Sequence, residues 1–434
     1  MNFKKIPAIE CKPQTDIIKF QERQLRAELQ YLNQRSKYYR RLFKKHQIDI
    51  RKIKLLKDLQ NIPVTTKDDL QRYNNDFICV PGREVIDYMT TSGTLGNPIT
   101  LAATDHDLDR LAYNEAISFA CTGATSSDVF QLMTTIDRRF MAGLAYFLGL
   151  RRLGAAVVRV GSGMPELHWE TIQKFRPSYI VVVPSFILKL VEFAEANNID
   201  FRNSSVKKAV CIGEPLRNPD FSLNTLGTRI CNKWPLQLFS TYASTEMGSA
   251  FTECQFGQGG HLHPELIITE FLDENNNPVA DDEPGEITVT TLGIEGMPLL
   301  RYKTGDVCYH HSEPCGCGRN TIRLGPVIGR KQHMIKYKGT TLYPAALYSI
   351  LDDYDQIGNY VVEVSTNDLD TDRICIYIGC RAENCRDLDR KIRERFRAKL
   401  RVIPDIVFLT VEEVSRMSFP PSSRKPVKFI DKRH

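Results

Sequence analysis

Apolar residues between positions 85 and 245 follow two spacings, and the change from one to the other predicts a regular succession of elements. Apolar residues three or four apart are typical of amphipathic helices, and short β-branched runs are typical of buried strands. This alternation favours an α/β fold with a largely parallel sheet, whose functional loops follow the C-terminal ends of the strands. The expected helices are residues 107–119, 141–153, 169–175 and 186–197, and the expected strands are residues 155–160, 179–183, 208–212 and 236–239.

The N-terminal part has a different pattern. Residues 16–46 carry an apolar stripe that predicts one or two helices. Farther along, Thr66 is followed three residues later by Asp69, a spacing that predicts a capped helix start. We therefore expect helices ahead of the α/β region.

Beyond residue 262 the pattern indicates hairpins and then a separate module. The runs 266–271 and 285–291 flank a turn-rich segment, which predicts a two-stranded hairpin. We expect a large domain of residues 1–329 and a small α+β domain of residues 330–434. The expected elements of the small domain are strands at residues 360–364, 374–378 and 407–411 and a helix at residues 386–400.

Composition narrows the class of protein. The chain has 434 residues, of which 42% are hydrophobic and 25% are charged, as in ordinary globular proteins. Its apolar stretches are too short to cross a bilayer, and no secretory signal is visible, so we expect no membrane partner. The net charge of +6 is mild for this length and does not favour a nucleic-acid partner. The 12 cysteines lack the spacing of a disulfide framework, which predicts the reducing cytoplasm.

Residues 89–98 form the most informative segment. They carry four hydroxyl side chains and two glycines and end at a proline. Such a loop offers backbone N–H groups and hydroxyls to a polyphosphate, and its glycines permit a close approach. The spacing of a Walker-type P-loop is absent. Taken alone, such a segment is more often a surface turn.

Two further polar segments could contribute to a nucleotide site. Residues 240–248 follow an expected strand, and within them Tyr242 offers a ring face to a base and Glu246 offers an oxygen ligand to Mg²⁺. In residues 301–306, Asp306 comes after an expected turn and can accept both hydroxyls of a ribose. Each segment alone is better explained as a turn.

Together, in this order and at these separations, the three segments resemble the adenylate-forming superfamily of acyl-CoA synthetases, adenylation domains and luciferases. Residues 211–215 and 329–339 are similar to segments that line its adenine pocket and form its hinge. Within the superfamily the chain most resembles phenylacetate–CoA ligase and its relatives, through residues 62–70, 301–306 and 315–319. The resemblance covers nearly the whole chain. It implies a large α/β domain with mixed sheets and a small mobile α+β domain.

The resemblance implies an AMP-forming ligase. An organic acid, with phenylacetate or a related aryl acid expected, reacts with MgATP to give an acyl-adenylate and pyrophosphate. The small domain then turns, and CoA displaces AMP. Two other functions stay open: adenylation with another acceptor, such as a carrier protein or a deazaflavin hydroxyl, and nucleotide binding without turnover. Relatives are commonly homodimers, so a homodimer is one expected assembly.

The same resemblance implies roles for individual residues. The phosphates are held by Thr91, Ser92, Gly93, Thr94 and Gly96. The adenine is surrounded by Gly213, Glu214, Pro215, Tyr242, Ala243 and Ser244. The α-phosphate and Mg²⁺ are contacted by Thr245 and Glu246, the ribose by Asp306 and Arg330, CoA by the region of Gly339, and the acyl group by Phe140 and Gly213.

The C-terminal tail resembles the family's terminal loop with its catalytic lysine. Lys425 falls on that position, where its charge would stabilise the crowded α-phosphate during attack. Arg424 replaces the usual preceding glycine, and Lys428 is a rival for the role. Without the resemblance, a solvated basic tail explains these residues. Gln332 and His333 stand where relatives carry acidic residues, so the hinge has an altered charge.

Four residues could close a tetrahedral Cys₃His site for structural Zn²⁺: Cys254, His261, Cys315 and Cys317. Spacing alone favours four unrelated residues, because the two halves are far apart in the chain. The segment resembles a metal knuckle of some phenylacetate–CoA ligase relatives, and this resemblance favours zinc. His263 competes with His261 as the ligand, and the alignment favours His261.

Overall fold

The computed structural model of the chain describes residues 6–91, 99–281, 283–330, 333–337, 340–366, 372–380, 385–400, 402–418 and 427–433. Its helices are α1 (Gln14–Arg35), α2 (Lys37–Lys45), α3 (Lys67–Arg72), α4 (Asp105–Cys121), α5 (Met141–Leu153), α6 (Pro165–Phe175), α7 (Pro184–Ala196), α8 (Thr225–Lys233), α9 (Pro344–Leu351), α10 (Arg386–Leu400) and α11 (Val411–Ser418). Its strands are β1 (Asp87–Thr90), β2 (Thr100–Ala103), β3 (Val129–Leu132), β4 (Ala156–Arg159), β5 (Tyr179–Val182), β6 (Lys208–Cys211), β7 (Gln237–Ser244), β8 (Ser249–Thr252), β9 (Gly260–His261), β10 (Ile267–Leu272), β11 (Gly285–Thr291), β12 (Tyr302–His311), β13 (Arg323–Arg330), β14 (Ile335–Tyr337), β15 (Thr340–Leu342), β16 (Ile357–Thr366), β17 (Asp372–Cys380), β18 (Asp405–Leu409) and β19 (Phe429–Asp431).

The chain divides into two compact units. The large unit comprises Met1–Thr304 and Cys308–Pro326, and the small unit comprises Gly305–Val307 and Val327–His434. The strands β12 and β13 contribute residues to both units. The domain bounds expected from the sequence, residues 1–329 and 330–434, stay a prediction. Within the ranges that the structure describes, no helix combines the length and the apolar character needed to span a bilayer.

The centre of the large unit is a six-stranded sheet. Its strand order is β4-β3-β5-β6-β7-β8, and all neighbours are parallel except β7 and β8, which are antiparallel. Every residue of β5 is buried, because helices cover both faces of the sheet. One apolar cluster is built around Trp169 and Trp234, and another around Phe119 and Phe130. The α/β architecture predicted from the alternating pattern is confirmed.

The second sheet of the large unit carries the expected hairpin. Its strand order is β10-β11-β12-β13-β9, and β10 pairs antiparallel with β11, with Ile267 opposite Thr291. A single apolar cluster joins this sheet to the N-terminal helices through residues such as Leu29 of α1 and Tyr39 of α2. The N-terminal segment is therefore part of the large unit's core.

Two polar segments lie in strands, although the sequence suggested turns. Residues 240–244 continue β7, in which Tyr242 lies opposite Phe251 of β8. Thr and Tyr favour strands, and the hydroxyls of Thr241 and Thr252 hydrogen-bond across the pair at 2.7 Å. Asp306 lies within β12 and does not follow a turn. The expected turn is wrong for residues 240–244 and for Asp306, because pairing with a neighbouring strand overrides local turn chemistry, whereas residues 245–248 do form a turn.

Two capping boxes fix helix starts in distant parts of the chain. The Asp69 amide donates to the Thr66 hydroxyl at 3.2 Å, and the Thr66 amide donates to the Asp69 carboxylate at 2.9 Å. This arrangement confirms the start of α3 predicted from the sequence. Thr410 and Glu413 exchange the same two bonds at 3.2 and 2.9 Å. For that reason the strand expected at residues 407–411 ends at Leu409 and gives way to α11.

The small unit is an α+β module. Its four-stranded sheet has the order β18-β17-β16-β19, in which β16 and β17 are antiparallel and the outer pairs are parallel. Leu388, Ile392 and Phe396 recur on one face of α10 and are buried in this unit's core. The strands and the charged helix expected in this region are present.

A carboxyl group is buried where α4 packs on α5. A Cβ added to Gly149 of α5 would lie 2.2 Å from Cβ of Glu115, so glycine permits this close approach. Glu115 is 5% exposed and accepts a hydrogen bond from Asn114 Nδ2 at 3.1 Å. Burial raises the pKa of Glu115 to about 8, since the ionised form loses its hydration.

Arg301 is a buried charge, 2% exposed, beside the hairpin. Its Nε and Nη2 atoms donate to the Glu270 carboxylate at 2.9 and 2.8 Å, and Nη1 donates to the carbonyl of Ile62 at 2.5 Å. One guanidinium thus ties the segment before α3 to β10. Burial raises the pKa of Glu270, although its hydrogen bonds with Arg301 oppose this effect.

We predict that Glu115→Gln stabilises the protein increasingly as the pH rises from 5 to 8. The folded-state pKa of about 8 lies above the ordinary value of 4.5, so the stability contributed by the protonated carboxyl is complete below 4.5 and is lost toward 8. Glutamine does not titrate, and its advantage at pH 8 should reach about 1–3 kcal/mol. Denaturant unfolding at several pH values measures it. Glu170→Gln, an exposed change on α6, is the control, and a pH-independent difference for Glu115→Gln would contradict the prediction.

We predict that Arg301→Met lowers the free energy of unfolding by about 3–5 kcal/mol at pH 7.5, because it leaves the Glu270 carboxylate buried without its partner. The loss should be smaller at pH 5, where Glu270 can protonate. The double variant Arg301→Met/Glu270→Leu should recover much of the stability. Denaturant unfolding tests both, and a double variant less stable than Arg301→Met would refute this account.

Candidate active site

The residues expected around the adenine lie on two segments that start from neighbouring strands of the six-stranded sheet. β6 and β7 are parallel neighbours, with Cys211 opposite Ser240. Beyond this pair, one segment leaves the C-terminal end of β6 and the other continues β7, so both start at the same edge of the sheet. The expected residues on these segments are Gly213, Glu214, Pro215, Tyr242, Ala243 and Ser244. Ligands of α/β sheets bind at this edge.

The segment after β6 is fixed to the start of α7. The Glu214 carboxylate accepts hydrogen bonds from the Ser185 amide at 2.9 Å and from the Ser185 hydroxyl at 3.0 Å. A carboxylate at a helix N-terminus is favourable because the first amides of the helix lack partners. Gly213 has φ +76°, a left-handed conformation that suits glycine. Glu214 therefore restrains the conformation of the segment that follows β6.

The turn between β7 and β8 is held from α4 by a residue that the sequence interpretation missed. Arg110 is 8% exposed and donates to the carbonyls of Gly248 at 2.8 Å, Leu292 at 2.7 Å and Leu266 at 2.5 Å. Burial lowers the pKa of Arg110 to about 10, so it stays charged at neutral pH. The sequence carried no signal for this role, because the helical neighbours of Arg110 include the polar residues Asp107 and Asn114.

Two side chains, one at the end of β7 and one in the turn that follows it, have the properties of ligand-binding groups. The Ser244 hydroxyl is buried and has no hydrogen-bond partner in the structure that the described residues form. A buried hydroxyl without a partner is costly, and a bound ligand can satisfy it. Glu246 lies at the start of the turn, and its Oε1 is 3.4 Å from the hydroxyl of Tyr302. Thr245 lies between them.

Thr91 is the phosphate-binding candidate that the structure describes, and it pairs with Ile99. Its amide donates to the carbonyl of Ile99 at 3.0 Å, and the Ile99 amide donates to its hydroxyl at 3.1 Å. The neighbouring Thr90 amide donates to the carbonyl of Arg139 at 3.0 Å. Thr91 is thus held by two hydrogen bonds with Ile99. The other expected phosphate-binding residues lie outside the described residues: Ser92, Gly93, Thr94 and Gly96.

The two residues expected at the ribose are paired in the small unit. Nε of Arg330 donates to Oδ1 of Asp306 at 3.1 Å, and the side chains are 44% and 13% exposed. A Cβ added to Gly329 would lie 2.3 Å from Cδ1 of Tyr343, so the residue before Arg330 must be glycine. Gly339, expected near CoA, lies outside the described residues.

Of the two candidate catalytic lysines in the C-terminal tail, the structure describes Lys428. The ammonium of Lys428 lies 5.0 Å from the ring centroid of Tyr360 and 5.9 Å from that of Tyr348. These cation–π contacts give Lys428 a packing role in the small unit. Lys425 lies outside the described residues.

Phe140, expected in the acyl pocket, is partly buried and immediately precedes α5.

The expected metal ligands also converge, within the large unit. The ligand atoms of Cys254, His261, Cys315 and Cys317 all lie within 4.8 Å of one another. The sulfurs of Cys254 and Cys315 are 3.6 Å apart, and Nε2 of His261 is 3.4 Å from the sulfur of Cys317. In a tetrahedral site with Zn–S bonds of about 2.3 Å, the sulfurs lie about 3.8 Å apart. The four residues therefore fit zinc.

Two tight turns present the cysteines of this cluster. The Gly257 amide donates to the carbonyl of Cys254 at 3.0 Å, and the Gly318 amide donates to the carbonyl of Cys315 at 2.9 Å. Both glycines have positive φ, +61° and +89°. Such turns bring a cysteine and the amides that follow it to one point, which is the geometry of a metal knuckle.

His261, and not His263, lies with the cysteines. Nδ1 of His261 is 3.1 Å from the hydroxyl of Thr321, a contact that orients the ring with Nε2 toward the sulfurs. His263 is 2.5 Å from Oε1 of Glu10 through Nδ1 and 3.2 Å from the hydroxyl of Ser118 through Nε2. The ring of His263 is therefore engaged elsewhere.

An ion pair that the sequence interpretation missed supports the cluster. Nε of Arg319 donates to Oε2 of Glu10 at 2.6 Å, and Nη1 donates to the sulfur of Cys317 at 3.5 Å. Hydrogen bonds from Cys254, then from His261 and Arg319, lower the pKa of the Cys317 thiol. Glu10 is fully buried, and nothing in the sequence near it distinguishes it from a surface glutamate.

Comparisons with known proteins show the family to which the chain belongs. Residues 32–295 match the family model described as AMP-binding enzyme. The phenylacetate–coenzyme A ligase of Thermus thermophilus is 31% identical over 355 residues, which cover 80% of this chain and 77% of that enzyme. The enzyme of the same name from Escherichia coli is 28% identical over 372 residues, covering 83% and 82%.

Among solved structures, a crystal structure of 2-hydroxyisobutyryl-CoA ligase in the postadenylation state, in complex with R3-HIB-AMP, is similar with a TM-score of 0.85. It is 21% identical, and the match covers 100% of this chain and 95% of that chain. This similarity concerns the fold.

Proposed function

The chain belongs to the AMP-binding enzyme family, and to the phenylacetate–coenzyme A ligases within it, and from this premise we propose that it is an AMP-forming acid–CoA ligase. A carboxylate oxygen of the acid attacks the α-phosphorus of ATP, and the bond to pyrophosphate breaks. The CoA sulfur then attacks the acyl carbon, and AMP leaves. The acid that we propose is phenylacetate or a related aryl acid, because the relatives are named for phenylacetate.

The observation that carries the proposal is the edge formed after β6 and along β7. The segment of Glu214 starts next to β7, which carries Tyr242 and the unpartnered hydroxyl of Ser244, and the turn after β7 carries Glu246. A flat ring, a carboxylate and a free hydroxyl at the C-terminal edge of a sheet match the needs of a nucleotide and its metal ion.

The remaining roles are proposals for residues of this chain. Bound Mg²⁺ would offset the phosphate charge, and Glu246 is the carboxylate that we assign to it. Lys425 would stabilise the negative charge that develops at the α-phosphate. Asp306 and Arg330 would meet the ribose, and Phe140 the acyl group. The turning of the small domain, a cytoplasmic location and a homodimer stay predictions.

We predict that the purified protein exchanges pyrophosphate into ATP when an aryl acid is supplied, and that Lys425→Ala lowers this exchange by about 100-fold or more, as loss of a transition-state charge does. Lys428→Ala is the matched control. It should lower thermal stability, because it removes aromatic contacts, and retain most of the exchange. A panel of arylacetic and benzoic acids with radiolabelled pyrophosphate measures the rates.

The outcome separates the candidate functions. Release of AMP with formation of an acyl thioester on adding CoA supports the ligase. Exchange without AMP release on CoA points to another acceptor, a carrier protein or a deazaflavin. Absence of exchange with every acid, together with tight nucleotide binding, would leave a binding protein without turnover and would refute the enzyme. A Lys425→Ala variant with native exchange rates would refute the role of Lys425.

We further propose that Cys254, His261, Cys315 and Cys317 bind one structural Zn²⁺. Four protein ligands fill a tetrahedral shell and leave no position for a substrate, so the ion would stabilise the fold and take no part in the reaction. It would join the turn after β8, β9 and the loop between β12 and β13.

We predict about one Zn²⁺ per chain by elemental mass spectrometry and less than about a tenth of that in Cys315→Ser and Cys317→Ser. Loss of the ion should lower the free energy of unfolding on the order of several kcal/mol, because ligand binding and folding are coupled. Cys231→Ser, at a partly buried cysteine outside the cluster, should retain the metal. Metal-free native protein with unchanged stability in Cys315→Ser would exclude the site.

A further inference from the structure

Tyr302 connects two of the segments from which the ligase function was inferred. It is 1% exposed at the start of β12, and its hydroxyl lies 3.4 Å from Oε1 of Glu246. A phenol O–H donates to a carboxylate oxygen, and this bond orients the carboxylate. Oε1 is thereby turned toward Tyr302.

The backbone on both sides of Tyr302 is held by the segment that precedes α3. The Thr65 amide donates to the carbonyl of Arg301 at 2.9 Å, and the Lys303 amide donates to the carbonyl of Thr65 at 2.9 Å. These two bonds form a parallel bridge between Thr65 and Tyr302. The position of the phenol therefore depends on where Thr65 lies.

Thr65 is itself fixed by a buried hydrogen-bond network. Its hydroxyl donates to the carbonyl of Leu300 at 2.8 Å and lies 3.2 Å from the hydroxyl of Tyr39 on α2. The Leu300 amide donates to the same Tyr39 hydroxyl at 2.8 Å. Thr65 and Tyr39 are both fully buried, so this network is protected from water and gives Thr65 one defined position.

The backbone near Glu246 is held independently. Arg110 donates to the carbonyl of Gly248 from the side of α4, two residues beyond Glu246. With the backbone fixed, the side-chain torsions decide where the Glu246 oxygens point. Of the contacts described for the Glu246 side chain, the hydrogen bond with Tyr302 is the one that can set those torsions.

We propose that Tyr302 is a positioning residue for Mg²⁺ binding, and that Thr65 fixes Tyr302 in turn. The proposal rests on the proposed function, because it needs Glu246 to be a ligand of the ATP-bound Mg²⁺. By holding Oε1, the phenol would leave Oε2 available to bind the ion. Partners of metal ligands typically contribute about 10- to 100-fold in metal affinity or activity.

The test is the Mg²⁺ dependence of pyrophosphate exchange in Tyr302→Phe, with whichever aryl acid supports exchange by the native protein. We expect the Mg²⁺ concentration for half-maximal exchange to rise about 10- to 100-fold. Saturating Mg²⁺ should restore much of the rate, a rescue that a merely structural defect would not allow. Tyr179→Phe is the matched control, since it also removes a buried phenol hydrogen bond, the 3.1 Å bond to the carbonyl of Thr122. It should keep the native Mg²⁺ dependence.

Two further variants keep the test decisive. Thr65→Val should raise the Mg²⁺ requirement in the same direction by a smaller factor, and it replaces Tyr302→Phe should that variant not fold. In the Glu246→Gln background, Tyr302→Phe should have no additional effect, because both act through one carboxylate. A native Mg²⁺ dependence in Tyr302→Phe and Thr65→Val, with Glu246→Gln impaired, overturns this proposal alone. Absence of exchange by the native protein overturns the proposed function and this proposal together.

Discussion

The pairing of Thr65 with the start of β12 is the contact on which the candidate site depends. This pairing fixes the positions of two consecutive residues, Arg301 and Tyr302, which have different roles. Arg301 enters the interior, where its guanidinium meets Glu270 and the carbonyl of Ile62, and Tyr302 reaches Glu246. Both side chains are almost fully buried, so a shift of the pairing would leave a charge or a phenol without its partner. A segment far from the sheet edge therefore fixes the carboxylate assigned to the metal.

The local spacing of apolar residues was sufficient to predict the α/β architecture. The helix expected at residues 141–153 is α5 with the same bounds, and the strand expected at 179–183 is β5, one residue shorter. Apolar spacing reports which residues face a core, and this is a property of short windows. The same local reasoning wrongly predicted turns at residues 240–244 and at Asp306. Both segments are polar, and a polar strand is recognised as a strand only when the neighbouring strand that pairs with it is known.

The candidate site required more than spacing. The order and separation of the motifs, interpreted through family resemblance, selected Tyr242, Glu246 and the Cys₃His cluster. Cys254 and Cys315 are 61 positions apart, too far for any local rule to join them. Arg110 and Glu10 were missed for a related reason: each is a charged residue whose partners lie more than a hundred positions away. Such pairs are defined by the tertiary fold.

The link between Glu10 and Arg319 also bears on how the chain acquires its structure during synthesis. The two residues are 309 positions apart, and the hydrogen-bond partners of Thr65 in residues 300–303 are likewise distant in the chain. Translation delivers the N-terminal helices first, but the groups that satisfy them emerge after most of the chain has been made. Contacts of such high sequence separation form slowly. We therefore expect α1 and α2 to remain undocked on the ribosome, with apolar faces accessible to chaperones until the second sheet closes over them.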